Sequence, residues 1–152
     1  MMMVYPPRMN DIAQELKAEV SAACQRFAGI TDHEASVARE GGGGWSRKEI
    51  LGHLIDSAAN NHQRFVRLIH ADRLAFPNYE QEPWVAAQAY RERDWTDLVE
   101  LWSAYNRHLA HVIARLPESA LDHIWQADEP LTLRSIAEHY LRHLRHHVAQ
   151  IV

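Results

Sequence analysis

The chain has 152 residues, 47% of them hydrophobic and 24% charged, with a formal net charge of −4. That length suits one domain, 1–152, able to bury a core without disulfides or a structural metal. The acidic balance argues against a general nucleic-acid binder or a protein of anionic membranes, and a single cysteine, Cys24, excludes both an intrachain disulfide and a multi-cysteine metal site.

The N-terminal segment MMMVYPPRMN lacks the basic, apolar and cleavage regions of a secretory leader. No run reaches the roughly 18 apolar residues of a membrane span. The expectation is a soluble, cytoplasmic protein with no nucleic-acid or membrane partner. Residues 1–9 read as an irregular lead-in broken by Pro6 and Pro7, and Asn10 as the N-cap of a helix starting at Asp11. Ile12, Leu16, Val20, Ala23 and Phe27 recur at helical spacing along it. This helix either runs through Gly29 toward residue 38 or breaks there. Cys24 falls within it and reads as an inert, half-buried thiol. The run Gly41–Gly44 is a turn between helices; without a preceding strand or a phosphate-loop lysine it is not a nucleotide cradle.

Ser46 and Glu49 form a capping box that opens a second helix, with Trp45 packing back on its first turn. Ile50, His53, Leu54, Ser57, Asn61, Phe65 and Leu68 share one broad face, and the helix ends near His70. Residues 71–94 form a long connection interrupted by Pro77 and Pro83, with a short helix near 84–90. Long connections of this kind are often functional. A third helix carries Trp95, Leu98, Trp102, Tyr105, Leu109, Val112 and Leu116, and Pro117 closes it. After a connector over 118–131, Thr132 caps a last helix bearing Ile136, Tyr140, His143, Leu144, His147, Val148 and Ile151. Four main helices without convincing strands predict an all-α four-helix bundle.

Histidine is unusually frequent, with 11 in all. His143 and His147 are four residues apart and lie on the inward stripe of the last helix, so both can face one site. Buried imidazoles need hydrogen bonds or a metal. Spacing alone leaves both readings open, and the HExxH protease motif is absent. His139 and His146 fall toward the flank with Arg142 and Gln150, although His139 could reach the site in another rotamer. His53, inward on the second helix, would complete a three-histidine site with at least one position open to water or substrate. His62 reads as partly exposed. His33, His70, His108, His111 and His123 read as solvent-facing or locally bonded. Asp56, three residues after His53, could accept a proton, orient a histidine or serve as a fourth ligand; the plain alternative is an ordinary helix carboxylate. Asn60 and Asn61 could hold substrate or tie helices together.

The segments WSRKEILGHLIDSAANNHQRFVR and HYLRHLRHHVAQI resemble the two signature helices of the DinB-like superfamily, especially its YfiT-like members. The resemblance covers nearly the whole chain. It implies an up-down-down-up four-helix bundle with a long crossover between helices 2 and 3. It places metal ligands at His53, His143 and His147, with zinc or nickel as the divalent ion. It further implies a metal-dependent thiol transferase using a low-molecular-weight thiol, or a hydrolase-like enzyme, acting on a small molecule, with Asp56 as the candidate catalytic carboxylate. The alternative is a non-catalytic metal-binding protein of stress response or small-ligand capture. Similar proteins often form homodimers, though no pattern here marks an interface.

Overall fold

The computed structural model describes residues 5–40 and 43–152. Among the described residues six α-helices run in chain order: α1 (Met9–Phe27), α2 (Asp32–Ser36), α3 (Arg47–Ile69), α4 (Gln81–Gln88), α5 (Trp95–Ala114) and α6 (Leu133–Ile151). The four long ones, α1, α3, α5 and α6, build the predicted bundle. Their inward residues, among them Leu16, Phe27, Ile50, Leu54, Phe65, Leu98, Trp102, Leu109, Ile136 and Leu144, form one buried core.

Three helix starts follow from local chemistry. The Ser46 side chain accepts from Glu49 N while Glu49 answers the Ser46 backbone, and Thr132 accepts from Ser135 N, both as predicted. Asp94 caps α5 through Asp97 N. The start of α1 differs from expectation. Arg8, not Asn10, is the capping position, because its extended backbone lets its carbonyl accept from Asp11 N and Ile12 N. Starting at Met9 also places the Met9 side chain in the core. Of the two outcomes foreseen for the first helix, it breaks: α1 stops at Phe27, and Thr31 and Glu34 form a second capping box that opens α2. Gly41 and Gly42 lie outside the described residues. Gly43 and Gly44 adopt φ of 65° and 90°, a backbone state that glycine alone takes without strain.

The helix directions can be read from contacts near their ends. The indole of Trp95, at the start of α5, donates to the carbonyl of Phe27, at the end of α1, so these helices are antiparallel neighbours. Arg134, near the start of α6, reaches the carbonyl of Pro7 just ahead of α1, so α1 and α6 run the same way. Chain ends past α3 and α5 also meet. β1 (Arg73–Leu74) pairs in parallel with β2 (Ile124–Trp125), and β2 pairs antiparallel with β3 (Leu131–Thr132), which leads into α6. Thus α3 and α5 end, and α6 begins, at one end of the bundle. The order is up-down-down-up, and the α3–α5 connection must return along the whole length, as predicted.

The small sheet corrects the expectation of no strands. Each strand has two residues, too short to show any alternation in sequence. It exists because three chain segments converge on one bundle end, where Trp125 is buried and its indole donates to the Phe76 carbonyl. The short helix foreseen near 84–90 is α4, shifted to Gln81–Gln88 and followed by a 3-10 turn at Tyr90–Glu92. α5 ends at Ala114, a little ahead of Pro117, and its core face includes Asn106 while Tyr105 and Val112 flank it. None of the described helices is long and apolar enough to cross a membrane.

Candidate metal centre

Three side chains converge at the bundle end opposite the sheet. His53 sits in the second turn of α3 and is buried, 1% exposed. His143 and His147 stand one turn apart near the end of α6 and are partly buried. The last turn of α6 is tied to this end by Arg47, whose Nε donates to the Ile151 carbonyl at 2.8 Å, and by Arg39, which donates to the Ile151 and Val152 carbonyls. These bonds satisfy acceptors that a helix leaves open at its C-terminus, and they fix His147 against α3.

Each histidine offers one nitrogen, and the three atoms lie within 4.8 Å of one another. His53 Nε2 and His143 Nε2 are 3.1 Å apart. Two imidazole nitrogens at about 2.1 Å from one ion, tetrahedrally disposed, would be roughly 3.4 Å apart, so the observed spacing fits shared ligation. His147 Nδ1 faces Gln150 Oε1 at 2.7 Å. Because the amide oxygen only accepts, Nδ1 carries the proton and Nε2 keeps a free lone pair.

Burial lowers the basicity of all three rings. It holds His53 at about 4 and His143 at about 3, below the ordinary 6.5, with the neighbouring imidazoles adding to the effect. Burial also lowers His147, with Gln150 opposing it. The rings are therefore neutral near pH 7, the form that binds metals. His53 Nδ1 is buried without a hydrogen-bond partner. A cluster of neutral nitrogen donors with one orphaned ring atom fits a borderline-soft divalent ion.

Asp56 lies one turn beyond His53 and is 2% exposed. It is not a member of the three-nitrogen cluster. Its Oδ1 accepts from Tyr90 Oη at 2.6 Å and Gln88 Nε2 at 2.7 Å, while Oδ2 is buried without a partner. Burial raises its pKa, and the bonds from Tyr90 and Gln88 act against that rise. Asn60 bonds the Asp56 carbonyl within α3. His139 and His146 are exposed and stand outside the cluster. His62 is partly exposed and meets Tyr105 Oη at 2.7 Å. His123 bonds the Leu68 carbonyl and approaches Asp72. Cys24 is half-buried, with its thiol pKa raised by burial.

A cavity of about 310 Å³ runs from the histidines toward the sheet, between α3 and α6. His53, Ser57, Asn61 and Arg64 line it from α3, and Ile136, His139, Tyr140 and His143 from α6. Arg64, Asn78, Tyr79 and Trp125 are wall residues that the sequence reading did not single out. Spacing in sequence does signal Arg64: it continues the His53–Ser57–Asn61 stripe by one further turn. Gln150 had an equally local signal, standing three residues after His147.

The fold and site define a helical bundle with a histidine-rich candidate metal centre opening on a cavity. Residues 15–151 match the family model of the DinB superfamily, and the chain belongs to that superfamily. The structure is similar to YfiT from Bacillus subtilis, described as a probable metal-dependent hydrolase with an unusual four-helix bundle topology. The two share 23% identity at a TM-score of 0.81, over 97% of this chain and 89% of that one. It is also similar to the mycothiol-dependent maleylpyruvate isomerase, at 11% identity and a TM-score of 0.77, over 99% of this chain and 63% of that one. Both likenesses are of fold. No curated protein sequence matches the chain.

Proposed function

We propose that His53, His143 and His147 hold one divalent ion, zinc or nickel, and that the chain is a metal-dependent enzyme. It would act on a small molecule as a thiol transferase or a hydrolase-like enzyme. The observation that carries the reading is the convergence of three neutral imidazoles from two helices, two of which, His53 and His143, line one end of a cavity. The descriptions of YfiT as a probable metal-dependent hydrolase and of the isomerase as mycothiol-dependent support it.

A divalent ion held there would supply Lewis acidity that strengthens a thiol or water as a nucleophile near neutral pH. The chain's own residues do the rest. Gln150 fixes the His147 tautomer. Burial keeps His53 and His143 unprotonated. Asp56 Oδ2 and His53 Nδ1 are both buried, both unpartnered, and one turn apart on α3, so Asp56 is the carboxylate suited to position His53 or take up its proton. In thiol transfer, the sulfur would bond to the electrophilic carbon, the bond from that carbon to the leaving group would break with its electron pair going to the leaving group, and the thiol's proton would pass to the departing group. The reading extends to a cytoplasmic homodimer. A monomer at every concentration in light scattering would remove the dimer.

The test is reconstitution with defined metals, followed by turnover assays with low-molecular-weight thiols and electrophiles. Turnover should require metal and be lost in His53→Ala and His147→Ala. A fully metallated protein that binds such compounds without converting them would favour a non-catalytic binding protein.

A further inference from the structure

We infer that the cavity takes a small molecule carrying a carboxylate, which Arg64 anchors at the end away from the histidines. That the reactive end lies at the histidines rests on the function proposed above; the anion site itself does not.

Arg64 is 7% exposed and lines the cavity. Burying a cation is costly unless an anion or several acceptors compensate. Among the described residues no carboxylate forms an ion pair with it, in contrast to buried Lys48, whose Nζ is 2.8 Å from Asp32 Oδ1. Arg64 has only neutral acceptors: Nη1 donates to Asn61 Oδ1 at 3.3 Å, and Nη2 to Asn78 Oδ1 at 3.2 Å. Its Nε is buried without any partner. A guanidinium has five N–H donors, so these two bonds leave most of its donor capacity unused.

The group is nonetheless held in place. Its Cζ lies 3.8 Å from the centroid of the Trp125 ring, a stacking that favours the cation and fixes the guanidinium plane. Trp125 is in turn held by its bond to the Phe76 carbonyl. Asn61 is anchored by its own donation to the Ser57 carbonyl at 2.8 Å. An oriented, desolvated guanidinium with spare donors is suited to a planar anion, and its fork matches a carboxylate.

Position sets the ligand's length. Arg64 is eleven residues beyond His53, roughly 16 Å along the helix axis. Helical side chains lean toward the N-terminus, which brings the guanidinium back toward the histidines. The remaining span is on the order of 10 Å, crossed by Ser57 and Asn61. The cavity of about 310 Å³ accommodates one small organic acid.

The test uses the chelated, metal-free full chain, so that no carboxylate can bind a metal. Straight-chain carboxylates from butanoate to octanoate are titrated by calorimetry beside octanamide and octyl phosphate. Octanoate should bind more tightly than butanoate and at least about tenfold more tightly than octanamide. Arg64→Met should lose that preference, while Arg64→Lys, which keeps the charge without the fork, should retain part of it. Side-chain Nε resonances of wild-type protein give a second readout that needs no variant: the Arg64 signal should shift with octanoate and not with octanamide. Equal affinity for acid and amide, tighter binding of octyl phosphate, or an unmoved Arg64 signal at saturation would each overturn the assignment. Metal content and turnover are measured separately, so loss of the metal-enzyme reading leaves this result standing, and the reverse.

Discussion

The ring of Tyr90 occupies the space that a side chain at residue 52 would need: a Cβ there would stand 2.1 Å from Tyr90 Cδ2. Gly52 thus lets the α3–α5 crossover close onto α3 immediately beside His53. The Tyr90 hydroxyl then reaches Asp56, one turn farther on. Burial, followed by the neighbouring Asp56 carboxylate, pushes the phenol well above its ordinary range, so it remains the donor. Gly52→Ala should destabilise the fold by about 1–3 kcal/mol through overpacking, since the buried Tyr90 ring has little room to move. Tyr90→Phe should cost about 1–3 kcal/mol by removing a donor from a buried carboxylate. Urea unfolding of both variants measures this, and unchanged midpoints would show that the crossover is not fastened here.

Loss of a ligand and loss of a ligand's support should differ in degree. His53→Ala, His143→Ala and His147→Ala should each weaken metal binding by more than the roughly 10- to 100-fold typical of an outer partner. Gln150→Leu, which frees His147 Nδ1, should fall within that smaller range. His146→Ala should change little, because this exposed ring stands outside the cluster. Competition with a chromophoric chelator supplies the constants, with helical circular dichroism confirming that each variant is folded. A folded His53 variant that binds as tightly as wild type would end the three-histidine assignment.

A second buried polar pair separates hydrogen bonding from packing. Tyr140 Oη donates to Asn106 Oδ1 at 2.5 Å, and the two residues are 3% and 0% exposed. Asn106 also donates to the Trp102 carbonyl, which holds it within α5. Tyr140→Phe should cost about 1–3 kcal/mol by leaving the amide oxygen unpaired. In Tyr140→Phe/Asn106→Leu the loss should be smaller than the sum of the two single changes, because neither orphan remains. Full additivity in denaturant unfolding would mean that the bond contributes nothing specific.

What the sequence disclosed was local and periodic. His143 and His147 were legible because four residues make one turn. His53 was legible because it shares a stripe with Ile50 and Ser57, and Ser46 because its partner is three residues away. Gly52 was not legible as a packing site, since its reason lies at Tyr90 in the crossover. Arg64 stands on the His53–Ser57–Asn61 stripe, but what makes it a wall of the cavity, the stacking on Trp125 from another segment, has no sequence signal. The small sheet was invisible because two-residue strands carry no period, and their pairing depends on where the helices end. Thr31 and Glu34 show a different limit: the box TDHE is as local as SRKE, yet the glycines and charges around it offer no apolar stripe to mark a helix.

Acid should loosen the metal-free protein through its histidines. His53 at about 4 and His143 at about 3 lie below the ordinary 6.5 because the folded state buries them neutral. Between those values and 6.5 the unfolded chain binds more protons than the folded one. Stability therefore rises with pH across this window: it is fully present above 6.5, falls as pH drops toward about 4, and levels off below about 3. Asp56 works in the opposite sense, since its raised pKa lets the folded state take up a proton more readily as pH falls. His147, lowered by burial in the same direction as the other two rings, adds to them. Asp32 and Glu49, both lowered by their partners, add acid sensitivity only below their ordinary values of 3.8 and 4.5. The urea midpoint of chelated wild-type protein should accordingly decline from about pH 7 to about pH 4, and His53→Leu/His143→Leu should show a clearly shallower decline over that range, with His147 as the remaining lowered ring of the cluster. If the double variant retained the wild-type slope in that range, the acid sensitivity would have to arise outside His53 and His143.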